Sequence, residues 1–177
     1  ARKTIRDMVA VLKSVVKYGR KHKIFPFEDW EIEYPTNAEV SRLPTLTIKH
    51  QRILMRHLIE KPTAQNIGVL LALCTGMRIG EVCALQWQDV DFRQRIITVR
   101  HTVGRVYNCE LKSTEKIHSS PKTRNSYRDI PISKHLFQCL KTVKKVSASP
   151  YVVGSSEHSK EPRSYRDYFS RLLKRLD

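Results

Sequence analysis

The sequence predicts a mostly α-helical protein that carries a small three-stranded antiparallel β-sheet. Apolar residues recur at helical spacing near both ends of the chain, and an unbroken apolar run extends from Val69 to Cys74. Residues typical of β-strands concentrate between Ile96 and Ile132, where polar segments separate them. Together these observations favour an α+β architecture in which helices dominate.

The first 22 residues predict an amphipathic helix, because their apolar side chains follow the i, i+3, i+4, i+7 spacing. The apolar positions are Ile5, Met8, Val9, Leu12, Val15 and Val16. The end of this helix is basic. Residues 31–45 contain two prolines and little periodicity, which indicates a linker between two domains.

Two threonines and a glycine predict where the next helices begin and end. Thr47 and Thr63 are suitable N-caps for two apolar helices. Thr75-Gly76 ends the second of them, because glycine tolerates the left-handed conformation of a helix stop. After a short corner, a further helix is predicted to continue to about Trp87.

Three β-rich runs follow, and we expect them to form the sheet: residues 96–100, 102–107 and 128–132. A polar stretch of residues 108–125 is predicted to connect the second strand to the third. Ser133 is a candidate cap for the next helix. Ser164 and Asp167 resemble a capping box at the start of the last helix.

The composition favours a polyanionic partner. Lys and Arg number 33 against 17 Asp and Glu, which gives a formal net charge of +16. Nucleic acid is the leading candidate for such a basic chain. Lys17 and Arg20 in the first helix could contact DNA, although an ordinary solvated face explains them equally well. No stretch approaches the roughly 18 apolar residues of a membrane-spanning helix, and the N-terminal sequence is unlike a signal peptide.

The four cysteines show neither the spacing of metal ligands nor a compact disulfide pattern. They are Cys74, Cys83, Cys109 and Cys139. We therefore expect a reduced, cytoplasmic protein without a structural metal.

Arg78 lies in the corner between two apolar helices, and we expect its guanidinium to be held there away from bulk water. An arginine in that position needs an anionic partner. One interpretation is a structural ion pair with Glu81, three residues further on. The other is a fixed phosphate contact, for which the planar fork of arginine is suited.

Two segments, TGMRIGEVCALQWQDVD from Thr75 and PKTRNSYRDIPI from Pro121, together resemble the tyrosine recombinases, the integrases of phages and transposons. In that family an Arg follows a Thr-Gly pair and a Glu follows the Arg. A Leu-x-Trp-x-Asp run then leads into a small sheet, where Lys-Thr precedes an Arg-x-Ile-Pro strand. The resemblance covers residues 46–177.

The resemblance implies a function and roles for five residues. Family members cleave DNA by attack of a tyrosine on a backbone phosphate, through a 3′-phosphotyrosyl intermediate, and use no metal or other cofactor. Arg78 matches the arginine that stabilises charge on the phosphate. Lys122 matches the lysine that protonates the leaving 5′-oxygen, and Glu81 matches the acid that braces the arginine. Thr123 and Arg124 could contact flanking phosphates, as could any solvated hairpin tip.

The resemblance also implies a domain organisation. Residues 1–30 would be the C-terminal helix of an N-terminal core-binding domain, residues 31–45 the linker, and residues 46–177 a catalytic domain that lacks its C-terminal part. The family's His-x-x-Arg motif and nucleophilic tyrosine are not found after Lys122. Tyr165 and Tyr168 have the wrong context and suit the first turn of the last helix as partly buried aromatics. As it stands, the fragment should not cleave DNA.

The family acts as homotetramers on double-stranded DNA, whereas this fragment is expected to be a monomer. By the same resemblance, it would come from a bacterium or phage and associate with the nucleoid. Two other functions stay open: a non-catalytic DNA-binding protein built on the same clamp, and a relative of the type IB topoisomerases. An RNA-binding protein fits the charge but leaves Arg78 unexplained.

Overall fold

The computed structural model describes residues 2–24, 32, 45–119, 127–154 and 158–176 of the 177-residue chain. Its internal contacts divide the chain into two compact units, residues 1–45 and 46–177. In the first unit, helix α1 extends over Arg2–Lys21. Four of the six apolar residues of the α1 stripe are exposed, Met8 and Val15 among them, while Val9 and Val16 are partly buried.

The second unit is mostly helical, as predicted, and contains two small antiparallel sheets. Its helices are α2 (Ile48–Glu60), α3 (Ala64–Thr75), α4 (Ile79–Ala84), α5 (Lys134–Val146) and α6 (Pro162–Leu176). Its strands are β1 (Val90–Asp91), β2 (Ile96–Val99), β3 (Thr102–Asn108), β4 (Ser113–Ser119) and β5 (Arg128–Pro131). None of the helices in the described ranges is long and apolar enough to cross a membrane.

Helix α3 lies at the centre of the second unit, and its residues 66–71 are all buried. It packs against α2, α4 and α5, while α6 packs against α2 and α4. The predicted caps of α2 and α3 are confirmed: Thr47 Oγ1 accepts from the His50 N–H, and Thr63 Oγ1 accepts from the Asn66 N–H. The core therefore encloses the middle of α3, and the Thr63 cap fixes where α3 begins.

The prediction that residues 96–100, 102–107 and 128–132 form one sheet is wrong in its strand pairing. The three-stranded sheet has the order β1-β2-β5, while β3 pairs with β4 in a separate two-stranded sheet. Strand β4 lies inside the stretch that was expected to be a polar connection. Its side chains are almost all exposed, so backbone hydrogen bonds to β3 rather than an apolar face define it.

Two helix ends also differ from the prediction. Helix α4 ends at Ala84 rather than near Trp87, because the chain becomes extended and the Leu85 carbonyl accepts a hydrogen bond from the Val152 N–H. Helix α6 begins at Pro162, two residues before Ser164. Proline is favoured at the first helical position, since its fixed φ suits the helix and no N–H is lost there.

Candidate catalytic arginine site

The corner that carries Arg78 is built by a left-handed glycine. Gly76 has φ +66°, and its N–H donates to the carbonyl of Ala72 and closes α3. The chain then reverses within two residues, and Arg78 becomes the N-cap residue of α4. The short Thr75-Gly76 signal thus positions Arg78 at the start of a helix, where the orientation of its backbone is fixed.

The carboxylate of Glu81 occupies the centre of the site. Only 3% of its side chain is exposed. One oxygen, Oε2, accepts from the Arg78 backbone N–H at 2.9 Å and from Nη2 of Arg128 at 2.8 Å. The other, Oε1, accepts from Nη1 of Arg78 at 3.1 Å and from Nη1 of Arg128 at 3.2 Å. Four hydrogen bonds thus satisfy a carboxylate that is almost completely buried.

These partners decide the charge of Glu81. Burial on its own raises the pKa of Glu81, but the hydrogen bonds from Arg128 and from the Arg78 backbone outweigh it, and the pKa lies below its usual range. The same hydrogen bonds raise the pKa of Arg128. Glu81 is therefore ionised at neutral pH. With two guanidinium groups around one carboxylate, the cluster carries a net charge of +1.

The expectation that Arg78 is held away from bulk water is wrong, because 75% of its side chain is exposed. The predicted ion pair with Glu81 is nevertheless present. It engages only the backbone N–H and Nη1, which leaves other guanidinium N–H groups at the surface. The structural and the functional interpretations of Arg78 are thus compatible, since the ion pair fixes a cation that solvent still reaches.

Arg128 was not among the residues that the sequence analysis assigned to the site. It lies on β5, 47 residues after Glu81, and binds both carboxylate oxygens. One sequence signal could have found it: residues two apart on a strand share a face, so Arg128 faces the same side as the half-buried Ile130. An arginine on an inward face requires an anion.

Helix α4 approaches strand β3 so closely that only glycine fits at the contact. A Cβ built on Gly80 would lie 2.6 Å from both the Val103 carbonyl oxygen and Oγ1 of Thr102. The backbone of α4 therefore rests directly on β3. This contact sets the distance between β3 and the backbone of α4, which carries Glu81.

The other predicted site residues lie outside the described residues or in the first compact unit. Lys122, Thr123 and Arg124 lie outside the described residues, between the described ends of β4 and β5. Lys17 and Arg20 are exposed on α1, in the other compact unit. Within the described ranges, no group of His, Cys, Asp and Glu side chains is arranged to hold a metal ion.

Of the two tyrosines of α6, Tyr168 is partly buried, as expected, whereas Tyr165 is almost completely buried. Tyr165 is 4% exposed, and its hydroxyl donates to the carbonyl of Gln65. Burial raises the pKa of Tyr165 strongly and also raises that of Tyr168, whose hydroxyl donates to Oδ1 of Asn66. Both phenols are therefore protonated and engaged inside the protein, as structural aromatics are.

Comparison with known proteins identifies the family. The profile of the phage integrase family matches residues 44–177, and the chain belongs to this family. The chain is 39% identical over 75 residues to the XerC-like tyrosine recombinase of Caldanaerobacter subterraneus, an alignment that covers 41% of this chain and 19% of that protein. It is 31% identical over 112 residues to the ICEBs1 integrase of Bacillus subtilis, covering 59% of this chain and 29% of that protein.

Solved structures confirm the fold. The Tn1549 transposon integrase in complex with transposon right-end DNA matches all of this chain with a TM-score of 0.72, at 21% identity and over 59% of that chain. The XerA recombinase matches 80% of this chain with a TM-score of 0.56, at 16% identity and over 45% of that chain. The chain thus spans less than a third of the two curated relatives above and just over half of the Tn1549 integrase chain.

Proposed function

We propose that this chain is part of a site-specific DNA recombinase of the integrase type, an enzyme that cleaves and rejoins DNA through a 3′-phosphotyrosyl intermediate. The observation that carries the proposal is the Arg78 corner. A buried carboxylate fixes the backbone and one guanidinium nitrogen of Arg78, while 75% of the side chain faces solvent. Such a preorganised cation suits a phosphate whose negative charge increases in the transition state.

Arg128 balances the charge of Glu81 and leaves the positive charge of Arg78 available to a phosphate. If Glu81 had Arg78 as its only partner, the pair would be neutral and would attract a phosphate weakly. Because Arg128 also binds Glu81 through two nitrogens, the charge of Glu81 is balanced from inside the fold. We assign Arg78 to stabilisation of the non-bridging phosphate oxygens and Glu81 to bracing Arg78.

Lys122 is proposed as the general acid that protonates the leaving 5′-oxygen, with Thr123 and Arg124 as contacts to flanking phosphates. Arg128 opens β5 six residues after Lys122, so the bonds from Arg128 to Glu81 attach one end of the Lys122 segment to the Arg78 corner. Nearby positive charge lowers the pKa of a lysine and prepares it to release a proton.

Residues 1–30 are proposed as the last helix of a core-binding domain, residues 31–45 as the linker, and residues 46–177 as part of the catalytic domain. Lys17 and Arg20 would face DNA. The partner is double-stranded DNA, and the complete enzyme would work as a homotetramer. The relatives include a phage integrase, the ICEBs1 integrase and a transposon transposase, which favours a bacterial or phage protein that acts on DNA in the cytoplasm.

The first test uses a form of the protein that includes the nucleophilic tyrosine. A suicide substrate traps the covalent protein–DNA adduct on a denaturing gel. Arg78→Ala should abolish the adduct and leave DNA affinity nearly unchanged, because phosphate contacts elsewhere supply most of the affinity. Normal adduct formation by Arg78→Ala would refute the assignment. Salt-sensitive DNA binding by a wild-type protein that forms no adduct would favour the non-catalytic DNA-binding alternative.

A second test addresses Lys122. Lys122→Ala should slow cleavage of an ordinary substrate, yet have little effect when sulfur replaces the leaving 5′-oxygen, since a thiolate departs without a proton. Equal losses on the two substrates would show that Lys122 is not the general acid. Lys112→Ala is the matched control, because Lys112 is an exposed lysine of the turn between β3 and β4.

A further inference from the structure

A second cationic site lies away from Arg78, in a cleft where the end of α2, the start of α3 and the C-terminal half of α6 meet. The cleft has a volume of about 670 Å³. Its basic lining residues, called here the basic cleft, are His57, Lys61, Arg171, Lys174 and Arg175. The remaining lining residues are Thr63, Gln65, Asn66 and Tyr168. No aspartate or glutamate is among the described residues that line it.

The arrangement of the basic cleft follows from helix periodicity. Arg171, Lys174 and Arg175 are three and four residues apart, so they share one face of α6. His57 and Lys61 are likewise four residues apart at the end of α2. In the described part of the chain, no ion pair joins any of these five side chains to a carboxylate. The positive charges of Lys61, Arg171, Lys174 and Arg175 therefore remain available to an external anion.

The floor of the cleft is polar and fixed. Asn66 is 4% exposed, and its Nδ2 donates to the Lys61 carbonyl at 2.8 Å while its Oδ1 accepts from the Tyr168 hydroxyl. A single buried amide thus connects α2, α3 and α6 beneath the basic residues. The cleft is held in its shape by bonds that do not use the cationic groups.

The cleft fits a polyanion better than a small ion or a peptide. A single small anion would require an enclosed site, whereas Lys61, Arg171, Lys174 and Arg175 are exposed along an open cleft. An acidic peptide would be expected to place several apolar anchors, and Tyr168 is the one hydrophobic side chain among the described residues of the lining. Several cations on a polar floor match the repeated phosphates of a nucleic-acid backbone.

The position of the cleft relative to Arg78 follows from α3. The cleft lies at the first turn of α3, and Arg78 follows its last turn. Helix α3, which connects the two sites along the chain, has twelve residues at 1.5 Å each and is about 18 Å long. Because B-DNA rises 3.4 Å per base pair, this corresponds to roughly five base pairs.

We propose that the basic cleft binds the DNA backbone and is a second phosphate-contact site, separate from the Arg78 site. This inference rests on the proposed function, because the DNA that the cleft binds is the substrate proposed above. It adds a surface that the resemblance to tyrosine recombinases does not assign. Its role is affinity and placement of the duplex rather than strand cleavage.

The test measures how DNA affinity depends on salt. Fluorescence anisotropy gives the affinity of the chain for a short labelled duplex between low and moderate salt. Each phosphate contact contributes roughly 0.9 to the slope of log K against log salt. The triple variant Arg171→Gln/Lys174→Gln/Arg175→Gln should reduce the slope by about 2 to 3. Lys61→Gln alone should reduce it by about 0.9.

A matched control removes three lysines outside the cleft: Lys49→Gln/Lys134→Gln/Lys145→Gln, all of them exposed. It changes the net charge equally, so long-range attraction falls equally in both triple variants. The control should reduce the slope by less than about 1. Circular dichroism and urea unfolding verify that each variant is folded. If the cleft triple variant does not fold, the salt slope of Lys61→Gln tests whether the cleft binds DNA.

Slopes that are equal in the cleft and control variants would overturn the inference. The proposed function would still stand in that case, because wild-type binding and the Arg78-dependent adduct do not depend on the cleft. A wild-type chain that binds no duplex DNA would instead count against both proposals. We expect the cleft variant of this chain to bind DNA more weakly. In the form of the protein that includes the nucleophilic tyrosine, we expect the same substitutions to leave adduct formation intact once DNA is saturating.

Discussion

Replacing Arg128 with methionine should destabilise the second unit by removing two of the four hydrogen bonds to a buried carboxylate. Arg128 donates to Glu81 at 2.8 and 3.2 Å, and 3% of the Glu81 side chain is exposed. Removal of one partner from a buried ion pair costs roughly 3–5 kcal/mol. The cost here should be lower, about 2–3 kcal/mol, since 31% of the Arg128 side chain is in contact with water and Arg78 still binds Glu81.

Urea unfolding at neutral pH, followed by tryptophan fluorescence, measures this loss in the free energy of unfolding. The double variant Glu81→Gln/Arg128→Met completes a double-mutant cycle, because it removes the buried charge together with its partner. We expect it to lose less stability than the sum of the two single variants, with a coupling energy of about 2 kcal/mol. Arg93→Met is the matched control, an exposed arginine on the turn between β1 and β2.

Two results would contradict the stabilising role of the Arg128–Glu81 pair. If Arg128→Met unfolds with the same free energy as Arg93→Met, to within about 0.5 kcal/mol, the Arg128–Glu81 pair contributes nothing to stability. Near-zero coupling between the two substitutions would lead to the same conclusion. Glu81 would then depend on Arg78 alone, and the argument that Arg128 leaves the charge of Arg78 available would fail.

The remaining predictions concern acid stability and the contact between α4 and β3. Because the pKa of Glu81 is lowered on folding, its contribution to stability is present above the unfolded pKa of about 4.3 and lost as pH falls through the lower, folded pKa. Urea unfolding between about pH 5 and 3 should therefore show a smaller loss for Glu81→Gln than for the wild type, and parallel losses would contradict the assignment. Gly80→Ala should cost about 1–3 kcal/mol in thermal unfolding, since its Cβ would lie 2.6 Å from the Val103 carbonyl oxygen. Gly104→Ala, on the strand that Gly80 contacts, meets open space and should cost clearly less, so equal losses would show that close approach is not the cause.

The sequence was sufficient for those features whose partners are close along the chain. The N-caps Thr47 and Thr63 and the left-handed Gly76 each depend on hydrogen bonds three or four residues away. The Arg78–Glu81 pair is equally local, since three residues separate its members. The motif that placed Arg78 after Thr75-Gly76 could therefore be interpreted from the sequence alone.

The pairing of the strands could not be predicted in the same way. Strand β4 has the sequence STEKIHS, in which polar side chains are exposed on both faces, so no alternation of apolar residues marks it as a strand. Polar contacts with residues far along the chain also attach β4 to the fold. Lys116 donates to the Ser159 carbonyl at 2.9 Å, and Nε2 of His118 lies 2.8 Å from the Ser159 hydroxyl. These contacts join residues more than 40 positions apart, and hydrophobic periodicity contains no information about them.

The exposure of Arg78 was predicted wrongly for a reason that clarifies the site. The sequence suggested that Arg78 needs one anion inside the protein, and a buried ion pair with Glu81 would satisfy that need. The structure has a second arginine from a strand 47 residues away, and Arg128 takes the bidentate position on Glu81. Arg78 keeps only a single side-chain bond to the carboxylate, at 3.1 Å, together with its backbone bond. Among the described residues, Glu81 is the carboxylate that pairs with Arg78, and most of the Arg78 side chain still faces solvent. An ion pair that leaves its arginine open to a further anion is what distinguishes a binding site from a purely structural ion pair.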